Sequence, residues 1–221
     1  METNIIFLIF QLAVLIFSVM IHEISHGYVA EYLGDPTARD AGRLTLNPVK
    51  HIDPIGSIIL PAILSLTNSP ILFGWAKPVP YNPNNLHKDF KYGSLKVALA
   101  GPASNFFMLV VFGLLARAGA PFISWNLVGL FGFIAFLNAF LGVLNLIPIP
   151  PLDGSKILST LLPQYADSFE RIGFSGIFLL IIFILLFGSF ISYVSNYLFL
   201  LVAGENTFRQ MINVLNLFYG T

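Results

Sequence analysis

Two histidines four residues apart flank a glutamate in the stretch His22-Glu23-Ile24-Ser25-His26. On a helix, residues at this spacing share one face about a turn apart, so the two imidazoles can share one metal ion. Zinc suits imidazole nitrogen at about 2.0–2.1 Å, and it lowers the pKa of its bound water to about 7. Glu23 lies between the two rings, where it can take a proton from such a water. In a soluble protein the pattern is often no more than two surface histidines beside a glutamate. Here it closes an apolar run, residues 5–21, interrupted only by Gln11 and Ser18. An unpaired Asp or Lys inside a membrane helix costs about 2.5–3.5 kcal/mol on the insertion scale. Three ionisable groups within five residues of such a helix therefore need partners, and metal ligation supplies them. The expectation is one Zn2+ per chain, held in part by His22 and His26, with Glu23 beside it.

A catalytic zinc needs three protein ligands and one open position. The remaining candidates are few. His51, Asp53, His87 and Asp89 fall in loops, and Asp153 follows an apolar run in Asn145-Leu146-Ile147-Pro148-Ile149-Pro150-Pro151-Leu152-Asp153-Gly154. Taken alone, Asp-Gly is an ordinary turn signal, so the choice depends on where the chain delivers it.

The elements that must do so are written in the composition. The chain has 221 residues, 56% apolar and only 10% charged, with a mean hydropathy of +0.81. A soluble domain carries about 25% charged residues, so lipid is the solvent for most of this chain. Eleven basic and eleven acidic side chains cancel, and no basic face suggests nucleic acid. Cysteine is absent, which excludes disulfides and thiolate metal sites. The start, Met1-Glu2-Thr3-Asn4, has no positive charge and no small-residue cleavage site follows the apolar run, so a removable signal peptide is not expected.

A first helix runs from residue 5 to about 33, where Gly34-Asp35-Pro36 stops it. At about 1.5 Å per residue it spans a hydrocarbon core of about 30 Å. Residues 36–54 are polar, and 41–46 (AGRLTL) have the look of a short strand. Residues 55–75 are apolar but broken by Pro61, Ser65, Thr67, Asn68, Pro70 and Gly74, and residues 76–96 form a loop rich in Pro, Asn and Lys. Spans follow at 97–116 and 125–147, the latter ended by the prolines 148, 150 and 151. Residues 174–203 are too long for one untilted span and are either one helix or two, with Gly188-Ser189 the place where a hairpin would divide them.

Topology singles out Asp153. If residues 55–75 crossed the membrane fully, Asp153 would end on the face opposite the histidines. If that segment is re-entrant, as its prolines and polar interruptions favour, Asp153 arrives beside them. Basic residues give a separate check. With a re-entrant segment, of the ten basic residues up to position 171, one face carries Arg39, Arg43, Lys50, Lys77, Lys88, Lys91, Lys96, Lys156 and Arg171, and the other only Arg117. By the positive-inside rule the rich face, with the histidines, is cytoplasmic. The expected fold is an all-α polytopic membrane protein: a single membrane-embedded domain, residues 1–221, with a core over about 5–155 and C-terminal transmembrane helices over about 166–218.

The motifs His22 to Gly27, Gly101-Pro102-Ala103-Ser104-Asn105 and Asn145 through Gly154 resemble the site-2 protease family of intramembrane zinc metalloproteases. Gly42 to Pro48 with His51 to Gly56, and Gly74 to Pro80, look like its compact prokaryotic branch, without PDZ or CBS domain. The resemblance covers roughly residues 15–155. It implies His22, His26 and Asp153 as zinc ligands, Glu23 as general base, and a three-helix catalytic core. It further implies a re-entrant segment and hydrolysis of peptide bonds in or near the membrane spans of protein or peptide substrates in a prokaryotic cell membrane. An Asn at the place of Asn145 is implied to help hold the substrate carbonyl, a role suited to a preorganised amide donor.

Other polar residues read as structural. Asn105 and Asn138 suit helix packing and interhelical bonding, His51 loop packing, and His87 solvent. The short strand around Arg43 to Leu46 is expected to form a small β-sheet edge beside the metal, where an extended substrate could add. The competing class is a non-proteolytic membrane metal-binding or transport protein, which would line several helices with ligands. Here the polar groups gather at one end of two helices.

Overall fold

The computed structural model describes residues 2–59, 76–166 and 176–219. Helix α1, Glu2–Tyr32, is followed by the short α2, Thr37–Asp40. Then come α3, Gly93–Gly119, α4, Trp125–Asn145, α5, Asp153–Leu161, and α6, Gly176–Tyr219. Within α1, α3, α4 and α6 lie four stretches long and apolar enough to cross a membrane. The chain is an all-α, multi-pass membrane protein. α3 packs along α4, α4 along α6, and α1 against α3.

The end of α1 is anchored to the approach to α3. Gly34 turns the chain out of the helix with φ 113°, a backbone state that suits glycine. The buried Asp35 carboxylate then accepts from the Thr37 amide and hydroxyl, the Asn82 amide and the Asn85 side chain. Burial opposes charge on Asp35, but these four donors outweigh it and hold its pKa below the ordinary carboxylate value. Lys88 N donates to Leu33 O at 3.0 Å, and Ala30, Leu33, Leu86 and Val97 close a small apolar cluster between the same elements. The long connection between α1 and α3 thus starts and finishes at one end of the bundle, as the re-entrant arrangement requires. The expected re-entrant segment itself, residues 55–75, lies outside the described residues from position 60 onward; before that, Pro54–Ile59 form one π-helical turn.

Two local expectations are corrected. Residues 41–46 are turn and bend, and no strand occurs among the described residues, so the expected small β-sheet edge is not found there. The physical reason is that the segment's polar groups are occupied by loop contacts and no neighbouring strand offers a ladder. Arg43 Nη2 donates to Lys77 O at 2.7 Å, and Thr45 O pairs with His51 Nε2 at 2.9 Å. Nor does Gly188-Ser189 make a hairpin: the helix continues through both residues and breaks at Gly204, with φ 80° and ψ 165°. Arg117, at the end of α3, donates to the carbonyls of Leu201 and Val202 just before that break. Beyond Gly204 the chain is amphipathic. Thr207, Met211 and Val214 are buried, whereas Glu205, Asn206, Arg209 and Asn213 are exposed.

Glycines set how closely α6 approaches. A Cβ on Gly129 would sit 2.5 Å from Val214 Cγ2 and 2.6 Å from Gln210 O, whereas one on Gly188 would meet only Ile184 Cγ2 at 3.9 Å. Gly129→Ala should therefore lower unfolding stability in detergent by about 1–3 kcal/mol through overpacking. Gly188→Ala should be neutral or mildly stabilising, because it improves helix propensity. Thermal unfolding followed by circular dichroism checks both; a larger loss for Gly188→Ala would restore the hairpin.

Candidate metal centre

α1 carries His22 and His26 on the face turned to α3, and α5 begins with Asp153 opposite them. The pairing of α1 with α5 depends on how the chain leaves α4. Proline at 148, 150 and 151 prevents the helix from continuing, and the chain turns back so that α5 starts against the last turn of α4. Gly154 permits this, since a Cβ there would lie 2.3 Å from the carbonyl oxygens of both Leu146 and Ile147.

Three atoms converge. Asp153 Oδ2 is 3.0 Å from His22 Nε2 and 3.1 Å from His26 Nε2, and the two Nε2 atoms are 3.1 Å apart. All three residues are buried, at 4–7% exposure. The remaining ring nitrogens reveal the protonation. His22 Nδ1 faces Asn105 Oδ1 at 2.7 Å, and His26 Nδ1 faces Val97 O at 2.7 Å. Both partners are oxygens that only accept, so each Nδ1 carries a proton and each Nε2 is the nitrogen turned to the cluster. Asp153 Oδ2 has no hydrogen-bond partner despite its burial. Two ring nitrogens and a carboxylate oxygen thus share one point, an arrangement that one cation satisfies. Ligands of a tetrahedral zinc at about 2.0–2.1 Å stand roughly 3.3 Å from one another, close to the observed separations. Two imidazoles and a carboxylate are also a donor set that zinc accepts in catalytic sites. The residues present fit the ion.

The histidine orientations are themselves held. Asn105 Nδ2 donates to Asn138 Oδ1 at 3.0 Å, and Asn138 Nδ2 donates to Ser18 Oγ at 2.9 Å and to Ile134 O. Ser18 is one turn before His22, so the network leaves α1, crosses α3 and α4, and returns to α1. Ser18, Asn105 and Asn138 are at most 2% exposed. Their packing role agrees with the sequence reading, but Asn105 also fixes the His22 ring, which the sequence reading missed. The signal was available: Asn105 stands four residues after Gly101, on the same face of α3. A Cβ on Gly101 would lie 2.4 Å from His26 Nε2 and 2.6 Å from His22 Nε2.

Glu23 lies beside the cluster. Its Oε2 accepts from Val79 N at 2.8 Å, which ties the loop over residues 76–82 to α1. A cavity of about 1000 Å³ opens over the cluster, lined among others by Glu23, Tyr81, Asn145, Asp153, Lys156 and Leu180. Asn145 lines this cavity with its amide nitrogen bonded back to Leu141 O at 3.0 Å. The loop candidates for a third ligand have other occupations. His51 Nε2 pairs with Thr45 O, Asp53 Oδ1 accepts from Gly56 N, Asp89 pairs with Lys96, and the exposed His87 meets the Phe90 ring. Asp53 also lines the cavity.

The sequence model of peptidase family M50 matches residues 113–189. YwhC of Bacillus subtilis, whose name marks its zinc-metalloprotease assignment as inferred, is 38% identical over 186 residues, covering 80% of this chain and 81% of its own. Rip2 of Mycolicibacterium smegmatis, named in the same way, is 34% identical over 142 residues, covering 62% of this chain and 51% of its own. A protein of Methanocaldococcus jannaschii named a zinc metalloprotease outright is 26% identical over 163 residues, covering 73% of this chain and 37% of its own. No solved structure gives a significant match.

The close approach at Gly101 generates a direct test of the cluster. Gly101→Ala would drive a methyl group into both Nε2 positions, and metal content measured on the purified protein should fall to a small fraction of the parent value. Ser104→Ala, one turn further along α3, removes only a hydroxyl bonded to Gly101 O and should leave metal content intact. Equal metal in the parent and Gly101→Ala proteins would mean that the ion is held elsewhere.

Proposed function

The chain belongs to peptidase family M50, the site-2 protease family, and from that premise we propose that it hydrolyses peptide bonds in or near the transmembrane segments of membrane proteins, with one zinc ion held by His22, His26 and Asp153. The observation that carries this reading is the convergence of two buried histidine Nε2 atoms and a buried carboxylate oxygen within 3.1 Å of one another. When bound there, zinc supplies Lewis-acid polarisation of a carbonyl and a water acidic enough to ionise near neutral pH.

The chain's own residues do the rest. Glu23 is the general base, then the general acid. Val79 N–H holds Oε2, which leaves Oε1 to take a proton from the attacking water and return it to the leaving amine nitrogen. The water oxygen forms the new bond to the scissile carbonyl carbon, and the C–N bond breaks once the amine is protonated. Asn145 has two amide N–H donors, of which Leu141 O uses one. The other is available to the oxygen on which negative charge develops. Asn105 and Val97 O keep both histidines in the tautomer that exposes Nε2. The cavity lets water reach these groups and gives an unwound substrate segment room to lie across them. That segment must be unwound, because a helix keeps its carbonyls in internal hydrogen bonds.

The active site faces the cytoplasm of a prokaryotic cell in this reading. Support comes from charge. Arg39, Arg43, Lys50, Lys77, Lys88, Lys91, Lys96 and Lys156 belong to the segments around the site, whereas Arg117 and Arg209 belong to the opposite end of the bundle, where α4 begins. The positive-inside rule assigns the first group to the cytoplasm. The whole chain, residues 1–221, acts as one membrane-embedded protease unit in the lipid bilayer.

Two measurements test this reading. Purified protein should contain zinc near one equivalent per chain, and His22→Ala or His26→Ala should lose it. Glu23→Gln should keep the metal yet cut turnover of a single-span substrate peptide by about 10²–10⁴-fold, the range for removing a general acid–base. Full cleavage by Glu23→Gln would remove Glu23 from the mechanism, and a zinc-loaded parent protein that cleaves no such peptide would sink the protease assignment. For orientation, the chain has no cysteine, and Asn84 is exposed. Asn84→Cys should resist an impermeant thiol reagent added to intact cells and react after lysis; labelling from outside would invert the topology.

A further inference from the structure

We propose that Lys156 is a positioning residue that fixes Asp153 as a one-oxygen ligand and so keeps a coordination position open, an inference that rests on the zinc reading above. Asp153 and Lys156 are the first and fourth residues of α5, a spacing that puts them on one helix face. Their contact divides the carboxylate. Lys156 Nζ lies 3.3 Å from Oδ1, whereas Oδ2 faces the two histidine Nε2 atoms at 3.0 and 3.1 Å. Each oxygen of Asp153 therefore has its own positive or metal-directed partner.

A carboxylate without such a partner can give one or both oxygens to a cation. Engaging both would use up the position that substrate or water must occupy in a catalytic zinc site. With Lys156 in place, turning Oδ1 toward the ion means giving up a charge-assisted hydrogen bond beside a buried group. The carboxylate is 6% exposed and the lysine side chain 46%. The half-exposed lysine side chain thus lies along the cavity, and its ammonium reaches the buried carboxylate. Among the described residues lining the cavity, Lys156 is the one side-chain cation, set among Glu23, Asp53 and Asp153. Nothing in this role requires it to touch substrate; it acts through Asp153.

The test is the visible spectrum of Co2+-substituted full-length protein, because four-coordinate cobalt absorbs more strongly than five-coordinate cobalt. Parent, Lys156→Met and Lys156→Arg proteins are compared in the same detergent. Lys156→Met should hold one cobalt per chain but show weaker, five-coordinate bands, and its zinc form should lose about 10-fold or more in turnover. Lys156→Arg keeps a cation at the same register and should restore the parent spectrum. A parent-like spectrum from cobalt-loaded Lys156→Met would overturn the proposal. Loss of cobalt from Lys156→Met would overturn it too, because the lysine would then serve retention of the ion and not the number of ligand oxygens. If the parent itself takes up no cobalt, the zinc reading fails first, and this inference with it.

Discussion

His22 Nε2, His26 Nε2 and Asp153 Oδ2 approach within 3.1 Å of one another in a buried setting, with each Nδ1 engaged by an oxygen on α3. A buried acceptor left without a partner costs about 1–3 kcal/mol, and more when charged. A single cation would satisfy all three atoms at once, and their geometry has to be built from segments 127 residues apart in sequence. The rest of the bundle can be understood as the means of holding that one arrangement. α1 brings two of the atoms, α5 brings the third, and α3 presses a glycine against them so that no side chain intrudes.

Small and polar residues share this task between them. Lipid gives little drive for apolar helices to associate, so close packing and interhelical hydrogen bonds decide how they meet. Gly101, Gly129, Gly132 and Gly154 each stand where a Cβ would strike a neighbouring element. The Ser18–Asn138–Asn105–His22 network spans three helices and ends on the His22 ring. Its donors and acceptors are matched along its length, which suits a membrane interior where an unmatched group is expensive. One set of bonds therefore aligns the helices and sets the tautomer of His22 together.

What could be read from sequence follows the range of the interaction involved. The histidine pair and Glu23 were legible because helical spacing is local. Asp153 was reached through topology, since counting spans and basic residues restricts which loop end can meet α1. The proline stop after Asn145 falls where α4 ends, and the polar breaks at residues 36–54 and 76–96 overlap the loops, although α2 occupies Thr37–Asp40 and α3 already begins at Gly93. The reading failed where a short pattern had two outcomes. Residues 41–46 alternate like a strand, but a strand also needs a partner, and Arg43 and His51 bind the segment into a loop. Gly188-Ser189 looked like a turn, yet glycine is tolerated inside an apolar helix. The break came at Gly204, where Arg117 from another helix reaches the carbonyls just before the turn. That contact joins residues 84 and 85 positions apart and leaves no local trace.

The same distinction explains why Asp153 and Lys156 are informative as a pair. The Asp-Gly step alone is an ordinary turn signal, and Gly154 serves the packing of α5 on α4. A lysine three residues on belongs to the same helix face, so the partner of Oδ1 is specified locally while the partners of Oδ2 come from α1. Asp153 is thereby divided between a short-range and a long-range constraint. One oxygen therefore finds its partner within α5, and the other completes the cluster with His22 and His26 of α1.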